Sequence, residues 1–304
     1  MPAHTPSGDR ILMAVTLRLL SAACMATMNA FIKLAEAGGA HLSEILFVRQ
    51  AIGIPLVGAV IAFGPGLGTI RTRRFGAHVV RAIVGMTSMT CLFTGVMLLP
   101  LAESTTLAFA VPIFATILGA LFLKEPTGWH RWGAVIAGFI GVLIVAQPGS
   151  GHFPLWGAAA GIAAAFLTAV VMILLRRIGR TEHQFTTVFW FATLSTVPLS
   201  IAVAFDHGHV IGWTWAWLLG VGICGNCGQL ALTGSLRHGP VSVVVPIDYS
   251  SLLWATLYGW LLFAVLPTPA TWIGAPIIIA SGLYIIWREH LRRQRETERA
   301  ITRF

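Results

Sequence analysis

Ten stretches of apolar residues run through this chain, and its basic residues gather in every second gap between them. A helix needs about 20 apolar residues to cross a bilayer. Inside lipid the backbone must satisfy its own hydrogen bonds, so only helices and closed barrels span. Barrel strands alternate apolar and polar positions over about ten residues, and these runs do not alternate. The fold class is therefore an all-α membrane protein. Composition agrees: 56% of the 304 residues are hydrophobic and 10% are charged, against about 25% charged in a soluble domain. The spans are read as 11–33, 43–63, 78–99, 102–123, 130–146, 154–175, 184–205, 213–237, 240–264 and 271–287. Short gaps leave no room for an extramembrane domain.

Of the 20 lysines and arginines, Lys33 alone lies at a span end on the other side, and Arg18 and Arg49 fall deep inside spans. The rest sit before the first span, in or just inside the span ends that flank the gaps around Arg71, Lys124, Arg176 and Arg237, or in the tail from Arg288 to Arg303. The positive-inside rule makes that face cytoplasmic, which puts both termini there in a cell (inner) membrane. Arg10 and the apolar run after it resemble a signal peptide. Arg18 and the lack of a small-residue cleavage site make the run a first span instead. The net charge of +9 is accounted for by topology and anionic-lipid contact, so a lipid bilayer is the partner it implies and nucleic acid is not. Trp156, Trp213, Trp217 and Trp272 fall at outer span edges and Trp129, Trp132 and Trp287 at inner ones, where indoles settle at headgroup depth. The tail is read as a helical stub on the lipid surface.

The chain repeats. Trp132-Gly133-Ala134 is followed by Gly141, and Trp272-Ile273-Gly274-Ala275 by Gly282, with the second glycine eight positions after the first in both. Pro55-Leu56 recurs as Pro198-Leu199 at an offset of 143, which also aligns Lys33 with Arg176 and Phe47 with Trp190. The reading is two repeats, 1–147 and 148–287, with a basic tail at 288–304. Five spans each is an odd number, so the second copy enters the membrane from the opposite face. Inverted repeats of this kind belong to alternating-access transporters, whose site lies near the midplane between the halves. The expected architecture is ten helices as two inverted five-helix repeats around a central cavity.

These residues also resemble the EamA family of the drug/metabolite transporter superfamily. The resemblance covers nearly the whole chain. It rests on Asn29-Ala30-Phe31-Ile32-Lys33, on Glu44 and Arg49, on Pro112 with Lys124-Glu125-Pro126, and on the glycine-rich fifth and tenth spans. It departs in the second half, where Val265 stands at the place of an acidic residue and Asp248 lies inside the ninth span instead. The resemblance implies a small-metabolite transporter, and within the family it is most similar to exporters of aromatic amino acids and drugs. It also implies a peripheral place for the fifth and tenth spans.

Charged and polar groups inside spans cost free energy, so they face a cavity or a partner. At about 100° per residue, Arg18, Asn29 and Lys33 form one stripe on the first helix, pointed here at the centre. Glu44 is positioned to pair with Lys33. Arg49 needs an anion, either a structural carboxylate or the substrate. Asn226, Gln229, Thr233 and Arg237 recur at helical spacing and read as cavity lining. Asp248 is the acid deepest in the membrane; it pairs with Arg18, Arg49 or Arg237, or it holds a substrate ammonium or a proton. Thr87, Ser88 and Ser251 are further candidates, with Tyr249, Trp254 and Trp190 as stacking faces. Pro55, Pro112, Pro198 and Pro246 are candidate hinges.

No Walker loop, HExxH or GxSxG stands in context. Cys224-x-x-Cys227 lies mid-span without a second ligand pair. The chain therefore reads as no enzyme, with no metal and no cofactor. The expectation is a secondary transporter, monomer or homodimer, that exports amino acids, aromatic ones favoured. An importer or exchanger of a nucleoside or cofactor precursor, or an exporter of organic cations or drugs, is the alternative. A membrane-embedded enzyme or receptor is the remote one.

Overall fold

The computed structural model describes residues 8–64, 66–122, 129–147, 154–179, 181–206, 208, 210, 212–238 and 244–301. All regular structure among them is helical. The helices are α1 (Gly8–Ala37), α2 (Leu42–Phe63), α3 (Phe75–Leu98), α4 (Leu101–Ala108), α5 (Val111–Phe122), α6 (Trp129–Ala146), α7 (Leu155–Ile178), α8 (Gln184–Phe205), α9 (Thr214–His238), α10 (Ser251–Phe263) and α11 (Pro269–Ile301). Short 3-10 turns at Leu67–Ile70 and Val245–Ser250 precede α3 and α10.

Eight of these segments are long and apolar enough to cross a membrane, and Trp132–Ala146 is a shorter apolar helix. Two of the expected spans are interrupted. The fourth divides at Phe109-Ala110, whose amides turn to the carbonyls of Thr106 and Leu107 at 3.1 and 3.0 Å. Pro112 follows at once and has no amide to continue the ladder. The ninth opens as the 3-10 turn containing Pro246 and becomes α-helical only at Ser251. Pro55 and Pro198 differ: both lie inside helices that run on through them. Lys124-Glu125-Pro126 falls outside the described residues, as do the side chains of Arg176 and Arg237. Residues 288–301 continue α11 as a helix.

Helix ends in lipid need partners for their free backbone groups, and three charged side chains provide them. Lys33 Nζ donates to the carbonyls of Val96, Met97 and Leu99 at 3.3, 3.0 and 2.9 Å, closing the C-terminus of α3. Glu44 accepts from the His41 amide at 2.8 Å, within the capping box of α2. The expected Lys33–Glu44 pair is therefore replaced by two separate caps. Glu103, 1% exposed, accepts from the Thr268 amide and the Thr271 hydroxyl, both at 2.9 Å, at the start of α11. A carboxylate there also suits the positive end of the helix dipole.

The packing follows a two-fold pattern. α1 lies along α9, as α7 lies along α3; α1 meets α10, as α7 meets α5; α2 pairs with α8, and α6 with α11. Large apolar side chains such as Leu12, Phe63, Val80, Ile223, Leu253 and Trp260 stay exposed on the outside, the surface a bilayer covers. Glycines let α6 and α11 approach closely. A Cβ on Gly274 would meet Gly141 O at 2.8 Å and Val145 Cγ2 at 2.5 Å. Small residues of this kind let membrane helices touch backbone to backbone. Replacing Gly274 by valine is expected to prise these helices apart at about 1–3 kcal/mol. The recovery of monodisperse protein after detergent extraction should fall; recovery equal to wild type would show that the contact is dispensable.

Candidate functional site

A cavity of about 690 Å³ lies between α2, α3, α8 and α9 and reaches the end of α7. Its volume falls in the range of small-molecule sites, about 300–1,000 Å³. Arg49 and Gln50 enter from α2, Arg81 from α3, Thr187 and Phe191 from α8, and Asn226, Gln229 and Thr233 from α9. Glu182 and His183, in the segment joining α7 to α8, line its mouth. They also line a second cavity of about 550 Å³ with Arg71, Arg73 and Arg74. The large cavity thus runs from the arginine-rich face toward the interior.

At the other end the two halves meet. His41 Nδ1 lies 2.6 Å from Asp206 Oδ1, and the Ser43 hydroxyl donates to Asp206 O at 2.7 Å. The Thr214 hydroxyl donates to Gly38 O at 3.1 Å. A Cβ on Gly208 would fall 2.0 Å from Gly39 O, so the two connecting segments are in direct backbone contact. The cavity reaches the basic face, and at the opposite end the described residues of the two halves are joined.

Arg49 sits where α2 touches α9. Its Nη1 lies 3.1 Å from Gln50 Oε1 and 2.9 Å from Met89 Sδ, and its guanidinium stands 6.0 Å from the Phe93 ring centre. Its Nε is buried without a hydrogen-bond partner. No carboxylate pairs with it among the described residues. Gly225 makes room for it: a Cβ there would fall 2.9 Å from Arg49 Nε. Asn226 Nδ2 donates to Arg49 O at 3.1 Å and to Gly222 O at 2.8 Å, tying α9 to α2. Arg49, Asn226 and Gln229 therefore all line this cavity.

The other expected site residues have different duties. Arg18, 5% exposed, donates from Nε and Nη2 to the two carboxylate oxygens of Asp248, so each charge is matched by the other. Pairing with Arg18 is one of the alternatives the sequence left open for Asp248, and it ties that carboxylate to α1. Asn29 Oδ1 is buried and unpartnered, away from the large cavity. Lys33 lines a smaller cavity of about 310 Å³ near the joined end, so the stripe on α1 divides among three places. Thr87 is exposed and donates to Ile83 O at 3.0 Å on its own helix. Ser88 is buried against α7, bonded to Ala164 O at 3.2 Å and close to Thr168 Oγ1 at 2.9 Å. Ser251 donates to Asp248 O at 2.6 Å within the ninth span.

The aromatic candidates pack. Tyr249 stacks edge-on against Phe109 at 4.8 Å. Trp254 lies over Tyr258 at 6.2 Å, whose hydroxyl meets Thr27 Oγ1 at 2.8 Å. Trp190 donates to Ile70 O at 2.9 Å and lies edge-on to Phe75 at 5.2 Å, pinning the segment between α2 and α3. None of these six polar and aromatic candidates (Thr87, Ser88, Ser251, Tyr249, Trp254 and Trp190) lines the large cavity. Arg81, Thr187, Phe191, Glu182 and His183 line it and were not expected to.

The sequence profile of the EamA-like transporter family matches residues 12–147 and again residues 155–287. A riboflavin transporter of Vibrio cholerae is 28% identical over 264 residues, covering 85% of this chain and 87% of the relative. The pseudopaline exporter of Pseudomonas aeruginosa is 27% identical over 279 residues, covering 90% and 95%. An S-adenosylmethionine uptake transporter of Rickettsia felis is 27% identical over 266 residues, covering 85% and 87%. One solved crystal structure shares the fold with a TM-score of 0.58 at 19% identity, covering 91% of this chain and 96% of its own.

Proposed function

The chain belongs to the EamA-like transporter family, and from that premise we propose that it carries a small anionic metabolite across the inner membrane by alternating access. It is a membrane transporter of small metabolites; the anion, the membrane and the mechanism are the proposal. The observation that carries it is Arg49, a partly buried guanidinium that lines the 690 Å³ cavity with its Nε buried and unpartnered and no carboxylate beside it among the described residues. A buried cation without a protein anion is costly, and a substrate carboxylate or phosphate supplies the missing charge. Two charge-assisted hydrogen bonds from one planar fork also fix its orientation.

The architecture supports the mechanism. Two profile matches, each covering about half of the chain, and the two-fold packing pattern fit five-span repeats. In this reading α6 and the 3-10 turn with α10 complete ten spans, and the second repeat is inverted. The broken fourth and ninth spans then occupy equivalent places, as interrupted helices do in inverted-repeat carriers. With the basic face cytoplasmic, both termini face the cytoplasm and the conformation is open inward. Closing the mouth around Glu182 and His183 while parting His41 from Asp206 would expose the same site to the other side. One copy holds a whole cavity, so a monomer suffices.

Amino-acid export has less support than the alternative. The relatives are named for riboflavin, pseudopaline and S-adenosylmethionine, and Asp248, one of the groups that could receive an ammonium, is paired with Arg18. Those names also divide between export and uptake, so direction is left to the gradient. Counterflow in proteoliposomes tests the reading, using riboflavin, riboflavin 5′-phosphate, S-adenosylmethionine and phenylalanine as preloaded substrates. The expected result is accumulation of label with the phosphorylated flavin above the neutral one. Saturable binding of these compounds with no counterflow would instead make the protein a receptor.

A further inference from the structure

We propose that the cavity takes an elongated substrate with an anionic group at each end, one held by Arg49 and the other by Arg81. This builds on the anion-binding reading of Arg49 and adds a second anchor to it.

Arg81 has the features that single out Arg49. It lines the same cavity. Its Nε and Nη1 are buried and have no hydrogen-bond partner. No carboxylate pairs with it among the described residues. Glu182, the acid in the lining, is turned elsewhere: its Oε1 accepts from the Arg73 amide at 3.3 Å, and its Oε2 lies 3.8 Å from His78 Nε2. A charge placed only to orient the chain in the membrane would reach headgroups or water. Arg81 instead folds inward over its own helix.

The fold has made space for that posture. A Cβ on Gly85 would fall 1.9 Å from Arg81 Nη1, so only glycine leaves the guanidinium its place. On the other side the guanidinium carbon stands 4.2 Å from the Phe191 ring centre. Stacking occupies the flat face of an arginine and leaves the N–H donors on its edge free. The group is held in orientation while its hydrogen-bonding capacity is unspent.

Spacing gives the substrate its shape. Met89, whose sulfur touches Arg49, stands eight residues after Arg81 on α3, or about 12 Å along the axis at 1.5 Å per residue. Arg81 leans back toward Gly85, which shortens the gap to about one to two turns, on the order of 5–10 Å. A single carboxylate or phosphate reaches both heads only at the short end of that range. Two anionic groups joined by several bonds span the rest of it, with the amides of Asn226 and Gln229 available to the part between.

The test uses linear dicarboxylates against partners of equal length with one carboxylate replaced by ammonium. Hexanedioate and 6-aminohexanoate form one pair, octanedioate and 8-aminooctanoate the other. Binding is measured by calorimetry on the full chain in detergent, for wild type, Arg81→Gln and Arg49→Gln, each checked for monodispersity. At least one dicarboxylate should bind wild type about tenfold or more tighter than its amino partner, the worth of one charge-assisted contact. Arg81→Gln should erase that preference and keep the weaker binding. Equal binding of both members of each pair to wild type, with Arg49→Gln still abolishing it, overturns the second anchor and leaves the first. Binding untouched by Arg49→Gln overturns both.

Discussion

Replacing Asp248 by leucine is expected to cost the folded protein about 3 kcal/mol, the scale for removing one partner of a buried ion pair. Arg18 is 5% exposed, and both of its bonded nitrogens go to Asp248. Without the carboxylate, a guanidinium stays inside the membrane with no counter-charge. The side chain of Asp248 is itself 41% exposed, which holds the estimate at the lower end of that scale. The loss should appear as a lower thermal midpoint for monodisperse protein in detergent. Arg18→Met combined with Asp248→Leu should restore most of it, because matched apolar replacements of buried pairs are close to neutral. A double variant that is stable and still transports confirms a structural pair. One that is stable and inert returns Asp248 to the transport pathway.

Replacing Arg49 by glutamine is expected to have the opposite profile: an intact fold and a loss of transport of about 100-fold or more. No protein carboxylate depends on Arg49 among the described residues, so its removal strands no buried anion. Two charge-assisted hydrogen bonds to a substrate, each worth about 1.5–3 kcal/mol, set the scale. Arg49→Lys should recover only part of the loss, since an ammonium lacks the planar fork. Counterflow normalised to the amount of folded protein measures both. Unchanged flux in Arg49→Gln would remove the residue from the site. A drop in thermal midpoint as large as that of Asp248→Leu would make Arg49 structural.

The two arginines show how far the sequence could be read. Each is a cation inside an apolar run, and sequence alone left open whether Asp248 would pair with Arg18, Arg49 or Arg237. That choice depends on which helices become neighbours, and residues 230 apart carry no local trace of it. The spans themselves were legible because lipid tolerates little else. Asn226 and Gln229 were legible because amides at helical spacing among glycines have few other uses. Thr87 and Ser88 are adjacent, yet one faces outward and the other faces α7. Only the packing of α3 decides between them.

Arg81 was missed for a different reason. It lies close to Arg71, Arg73 and Arg74 and was read with them as a topological charge. The signal against that reading was present: Val79, Val80, Ala82 and Ile83 surround it, and a lipid-surface cation has no need of such company. Glu182 and His183 sit in a connecting segment, where spacing says nothing about what they face. The divided fourth and ninth spans were half legible. Pro112 and Pro246 marked the places, but Pro55 and Pro198 carried the same mark without a break.

The Arg18–Asp248 bond also sets a schedule for synthesis. Arg18 enters the membrane with the first helix, and its counter-charge is made 230 residues later. At about 5–20 residues per second, the arginine waits on the order of 10–50 seconds before it is neutralised. Through that interval α1 has to be sheltered by the insertion machinery or by α9, made shortly before Asp248. A ribosome that stalls in the second half leaves a nascent chain with one unanswered charge in lipid, a mark by which quality control could tell an unfinished carrier from a finished one.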